Sequence, residues 1–73
     1  MYAVILLPST SHAIRAEKIL REAGIDCQLV PIPRHLSSDC GICVRIPRQA
    51  REAARAALEQ ARLDIESIHD LGA

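Results

Sequence analysis

The residue with the most chemistry open to it is Cys40, in the segment Arg34-His35-Leu36-Ser37-Ser38-Asp39-Cys40-Gly41. A thiol attacks, or holds a persulfide, as its thiolate, so its reactivity follows the charges and donors placed around it. Serine and glycine neighbours suit a loop that leaves the thiol partly exposed. Arg34 brings positive charge and Ser37 and Ser38 bring hydrogen-bond donors. Asp39 works the other way, because an adjacent carboxylate opposes thiolate formation. The plainer alternatives are Cys40 as a small buried hydrophobe, Arg34 as a solvated loop arginine and the serine pair as turn chemistry.

The other two cysteines, Cys27 and Cys43, fall inside strand-like patterns and read as structural. Cys40-Gly41-Ile42-Cys43 is formally C-x-x-C, the spacing of a redox dithiol. Here the second cysteine enters a strand, where residues three apart are separated by about 10 Å and point to opposite faces. That is beyond the roughly 7 Å Cα limit of a disulfide. Structural zinc wants four ligands, usually with a second close pair, and the sequence has none. His12 reads as a first-turn helix residue, His35 as a loop residue and His69 as an exposed strand residue.

The elements that must position Cys40 follow from period and punctuation. Tyr2 to Leu7 is a run of β-formers apolar on both faces and bounded by Pro8, the pattern of a central strand. Ser9-Thr10-Ser11 offers N-caps for a helix to Ala23, with Ala13, Ala16, Ile19, Leu20 and Ala23 on one face. Gly24 stops it. A second strand is predicted from about Asp26 to Ile32, and a third from Ile42 to Ile46 with Ile42, Val44 and Ile46 on one face and Cys43 and Arg45 on the other. Pro47 is expected to end that strand and open a helix over Arg48 to Ala61. Its apolar stripe is Ala50, Ala53, Ala54, Ala57, Leu58 and Ala61. A last strand is expected near Ile65 to His69.

The order β-α-β-β-α-β predicts an α+β, ferredoxin-like sandwich over residues 1–73, with a four-stranded antiparallel sheet and two helices on one face. In that plan the loop from Arg34 to Gly41 lies at the sheet end where the first strand finishes and the first helix begins. Cys40 is therefore expected near a helix N-terminus, where free amides and about half a positive charge favour an anion. Thr10 joins Ser37 and Ser38 as a donor there. The sheet face without helices is expected to be open although strands one and two are apolar on both sides. A homodimer or protein partner covering it is the corresponding expectation.

Composition removes other functions. Nine basic residues balance nine acidic ones, so no charge excess draws nucleic acid or anionic lipid. Tyr2 is the only aromatic residue among Phe, Trp and Tyr, which removes the stacking platform of a single-strand binder. The apolar opening Ala3 to Leu7 is too short for a membrane span and lacks the basic flank of a signal peptide. Three scattered cysteines do not make a secreted disulfide framework, so the expected compartment is the cytoplasm.

Two stretches carry a resemblance: Ala13-x-x-Ala16-Glu17-Lys18-x-Leu20-x-x-x-Gly24-Ile25, and Pro31-x-Pro33-Arg34-x-x-Ser37-Ser38-x-Cys40-Gly41. The pattern resembles the small bacterial selenium/sulfur (Se/S) carrier-like proteins and runs through nearly the whole chain. The second stretch is the more specific. The resemblance implies a carrier holding a persulfide or selenosulfide on Cys40, with Arg34, Ser37, Ser38 and Gly41 on the neighbouring motif positions. It implies donor and acceptor proteins as partners; no cofactor box is visible in the sequence, so no cofactor is expected, and no metal ligand is assigned. Cys43 and Pro8 are not features of the pattern. A carrier suits a small neutral chain without a nucleotide loop better than an enzyme that builds its own pocket does. The alternatives are a non-catalytic binding or regulatory module acting through the open sheet face, and a small metal-binding protein using Cys40 and Cys43.

Overall fold

The computed structural model describes residues 1–36 and 41–71. Strand β1 (Tyr2–Leu6) leads into helix α1 (Thr10–Glu22), and strands β2 (Gln28–Pro31) and β3 (Ile42–Pro47) follow. A 3-10 turn (Arg48–Ala50) joins β3 to helix α2 (Arg51–Gln60), and β4 (Ser67–Leu71) closes the chain. The four strands form one sheet in the order β2-β3-β1-β4. Every neighbouring pair is antiparallel. This is an α+β fold whose strand order is that of the ferredoxin-like arrangement expected from the sequence.

The principal core lies between the sheet and the helices. Ala3, Ile5 and Leu7 meet Ala13, Ala16 and Leu20 of α1, Ala54 and Leu58 of α2, and Val44 and Ile46 of β3. Alternate residues of β1 point this way because the strand period is two. Val4 and Leu6, also of β1, face the other side with Cys43. The helices come close to the sheet because they present alanine there.

Local chemistry sets the helix ends. Ser9 is the N-cap of α1, in extended conformation, and its side chain accepts the His12 amide at 3.2 Å. At the other end Gly24 N–H bonds Arg21 O (3.0 Å) and Ile25 N–H bonds Leu20 O (2.9 Å). That pair of bonds needs a left-handed residue, and Gly24 has φ +78°. Helix α2 ends in the same motif, with Arg62 N–H on Glu59 O and Leu63 N–H on Leu58 O, both at 3.0 Å. There Arg62 takes the left-handed position at φ 57°.

Several expectations are corrected. Pro47 does not open the second helix but is the last residue of β3, opposite Tyr2, and the helix starts only at Arg51. Its extended backbone (ψ 140°) continues the strand, and Arg48 N–H then reaches Met1 O at 3.0 Å. Strand β4 sits two residues later than expected, because pairing with β1 places Ser67 against Leu6 and Leu71 against Tyr2. Ile65 and Ile68 both pack on the principal core, which residues three apart in one strand cannot do. Ile65 does so from the connection before the strand. Ala23 and Ala53 are exposed rather than on the buried stripes, and His69 is half-buried, its Nε2 2.8 Å from Ser67 Oγ.

The helix-free face differs most from expectation. Val4 is 0%, Leu6 2% and Cys43 0% exposed. Val30, Ile32, Leu36 and Leu71 pack on this second cluster from the same chain. Of the apolar residues behind the expectation of a covering partner, Val4 and Leu6 are covered from within the chain, while Val30 and Ile32 stay half-buried.

Candidate functional site at the loop end of the sheet

Register fixes what meets at the end of the sheet that carries the candidate loop. Leu6, the last residue of β1, lies opposite Cys43, and Cys43 lies opposite Val30 on its other side. Ile32 N–H bonds Gly41 O at 3.3 Å just beyond the last β2–β3 pair. The base of the loop therefore sits at the end where β1 hands over to α1, as the topology predicted. Ser37, Ser38 and Cys40 lie outside the described residues. The description of the site is that of its frame: residues up to Leu36, Gly41, and the start of α1.

The loop leaves the sheet through a turn in which Leu36 N–H bonds Pro33 O at 3.0 Å, placing Arg34 and His35 at its two central positions. Both are exposed. Among the described residues Arg34 makes no ion pair. Leu36 turns inward onto the Val4–Leu6–Cys43 cluster and pins the ascending arm. Gly41 re-enters at φ +81°, a conformation in which an L side chain is strained although nothing lies within 4 Å of an added Cβ.

On the helix side, Thr10 is the first residue of α1 and is exposed. The first turn holds no acidic residue, so the positive end of the helix is not offset by its own side chains. A pair missed from sequence sits here: Ser9 Oγ lies 2.6 Å from His12 Nδ1. The same Oγ also accepts the His12 amide, so the serine cap and the imidazole are held together at the helix start. The i,i+3 spacing of Ser9 and His12 at a helix start was the available signal.

The two described thiols are not placed for surface chemistry. Cys43 is fully buried, and its Sγ lies 3.9 Å from Pro31 O as donor. Cys27 is 8% exposed and donates to Glu17 O at 3.5 Å. Burial pushes the Cys27 thiol above its ordinary pKa, with Arg21 pulling weakly the other way. Both fit the structural role read from the strand pattern. Among the described residues no group of three His, Cys, Asp or Glu side chains gathers as for a metal ion. No described helix is long and apolar enough to cross a membrane.

The opposite end of the sheet carries a feature that sequence reasoning did not find. Tyr2, Asp26, Cys27, Gln28, Arg45 and Pro47 line a cleft of about 370 Å³. Arg45 stacks over the Tyr2 ring at 4.3 Å and donates to Gln28 Oε1 at 2.7 Å. These residues come from three separate stretches of chain, so only the pairing of β2 and β1 on β3 brings them together.

Neither a curated protein nor a solved structure matches the chain. A family match does run from residue 2 to residue 70, almost its full length and across both ends of the candidate loop. The chain belongs to the family described as "Putative Se/S carrier protein-like".

Proposed function

We propose that this chain is a sulfur or selenium carrier that loads Cys40 and delivers the cargo to a partner protein. Family membership supports the carrier role, and the motif resemblance supports reading Cys40 as the acceptor. The structural observation that best supports the reading is the frame around the loop. Its two ends lie at the sheet end where β1 hands over to α1, the first turn of α1 holds no acidic residue, and Arg34, in the same loop, makes no ion pair among the described residues. Both favour an anionic sulfur over a neutral thiol.

In the loading step the Cys40 thiolate attacks the outer sulfur of a donor protein's persulfide. A new S–S bond forms to Cys40, the donor's S–S bond breaks, and the donor cysteine leaves as thiolate. Delivery is the same exchange in reverse sense, with an acceptor thiolate attacking the outer sulfur and Cys40 leaving. No net oxidation is needed at either step. Arg34 and the helix terminus stabilise the anion, Ser37, Ser38 and Thr10 supply donors, and Gly41 lets a partner approach the backbone. A reducing cytoplasm is the compartment in which such a thiol stays available.

The test is intact mass of the reduced protein after incubation with a cysteine desulfurase and cysteine, for wild type and each Cys→Ser variant. The reading expects one added sulfur that vanishes only in Cys40→Ser. Equal adducts on all three cysteines, or none, would overturn it and leave a binding module as the better account.

A further inference from the structure

We propose that the cleft between the start of β1 and the start of β2 is a binding site for a small zwitterion of the free α-amino acid class. Its carboxylate would lie on Arg45 and Gln28 and its ammonium on Asp26. The inference does not depend on Cys40: along β3, Arg45 is four residues, or about 13 Å, from Gly41 and the loop.

Two charges of opposite sign border the cleft. Arg45 and Asp26 line one cleft, yet among the described residues no ion pair joins them or uses either of them. Arg21, the other cation beside Asp26 and Cys27, is engaged by Glu17 at 3.2 Å. A cation and an anion facing one cavity without touching present two poles to a ligand that has both.

Arg45 is also held ready. The Tyr2 ring covers one face of its guanidinium, and one terminal nitrogen is fixed on Gln28 Oε1, so its remaining N–H edge has a defined direction. With its oxygen spent on Arg45, the Gln28 amide offers only its NH₂ group, a second donor for the same carboxylate. A plain anion would gain these donors but face repulsion from Asp26. A plain cation would meet the reverse problem at Arg45. The volume of about 370 Å³ lies at the small end of ligand pockets, and Pro47, Cys27 and the Tyr2 ring give a small side chain an apolar place to rest.

Tyr2 is the only tyrosine in a chain without tryptophan, so its emission reports this cleft and nothing else. The full chain would be titrated at constant ionic strength with L-alanine, with acetate and with methylammonium. Tyr2 fluorescence and the amide shifts of Gln28 and Arg45 would be followed. A saturable response to L-alanine in the millimolar range typical of so few atoms is expected. It should weaken at least about tenfold in both Arg45→Gln and Asp26→Asn. Acetate should bind more weakly than L-alanine to wild type, and more tightly to Asp26→Asn than to wild type, since the repulsion is gone. Asp26 is exposed, so Asp26→Asn keeps the test open even if the Arg45 variant folds poorly. No saturable response to L-alanine up to about 50 mM would overturn the proposal. So would L-alanine and acetate binding alike with Asp26→Asn changing neither, the behaviour of an ordinary anion site.

Discussion

Thiol environment divides the cysteines at the scale of single residues. Burial holds Cys27 in its neutral form, so its folded-state pKa is raised above that of the unfolded chain. The stability this contributes is fully present below the unfolded thiol value of about 8.5 and is lost as pH rises through the higher folded value. Chemical denaturation from pH 7 to pH 10 should therefore show stability falling above about pH 8.5, and Cys27→Ala should flatten that part of the profile. Alkylation at pH 7 belongs to the same scale. Cys27 and Cys43, at 8% and 0% exposure, should be protected in the native protein. Peptide mapping after a short iodoacetamide pulse should find the label on Cys40 first, and a label spread evenly over all three would contradict this.

At the scale of elements, the two helices end in one motif built from different residues. Gly24 fills the left-handed position of α1 without strain, whereas Arg62 fills that of α2 at a steric cost of about 1–2 kcal/mol. Arg62→Gly removes that cost but gives the unfolded chain about 0.4–1 kcal/mol of extra freedom. The net expectation is a stabilisation of about 0.5 kcal/mol and a melting temperature a few degrees higher. Gly24→Ala should move the other way by about 1 kcal/mol, although an added Cβ would touch nothing within 4 Å. Thermal melts of the two variants compare them directly, and equal signs would refute the assignment of backbone strain.

The whole molecule is held by two apolar clusters on opposite faces of one sheet. A domain of this size has roughly 4–11 kcal/mol of stability at about 0.05–0.15 kcal/mol per residue. Leu20, fully buried between α1 and the sheet, should cost about 2–5 kcal/mol as Leu20→Ala, a large share of that total, readable by urea denaturation. The second cluster is thinner and is completed by Leu36 from the candidate loop. Leu36→Ser should cost less, about 1–2 kcal/mol, but should make Cys43 reactive to alkylation under native conditions. Protection of Cys43 in that variant would show that the loop arm does not shield this face.

Much of the fold was legible in the chain itself, because each element carried its own local signal. The two-sided apolar run of Tyr2–Leu6 marked a central strand, the Ala13–Ala16–Leu20 face marked a helix packed closely, and Gly24 marked its end. Element order then placed the loop and the start of α1 at one end of the sheet. Residue chemistry marked Cys40 and Arg34 as candidates and the motif resemblance added Gly41, with Cys40 outside the described residues. Other features were set by contacts distant in sequence. The register of β1 moved β4 to Ser67–Leu71, and pairing carried Pro47 into β3 instead of α2. Leu36 and Ile32 cover Val4 and Leu6 on the face expected to be open. The stacking of Arg45 on Tyr2 beside Asp26 has no local signal at all, since β1, β2 and β3 meet there only once the sheet has formed. Propensity and periodicity act over a few residues, and the assignment of buried faces between strands is made by the tertiary structure.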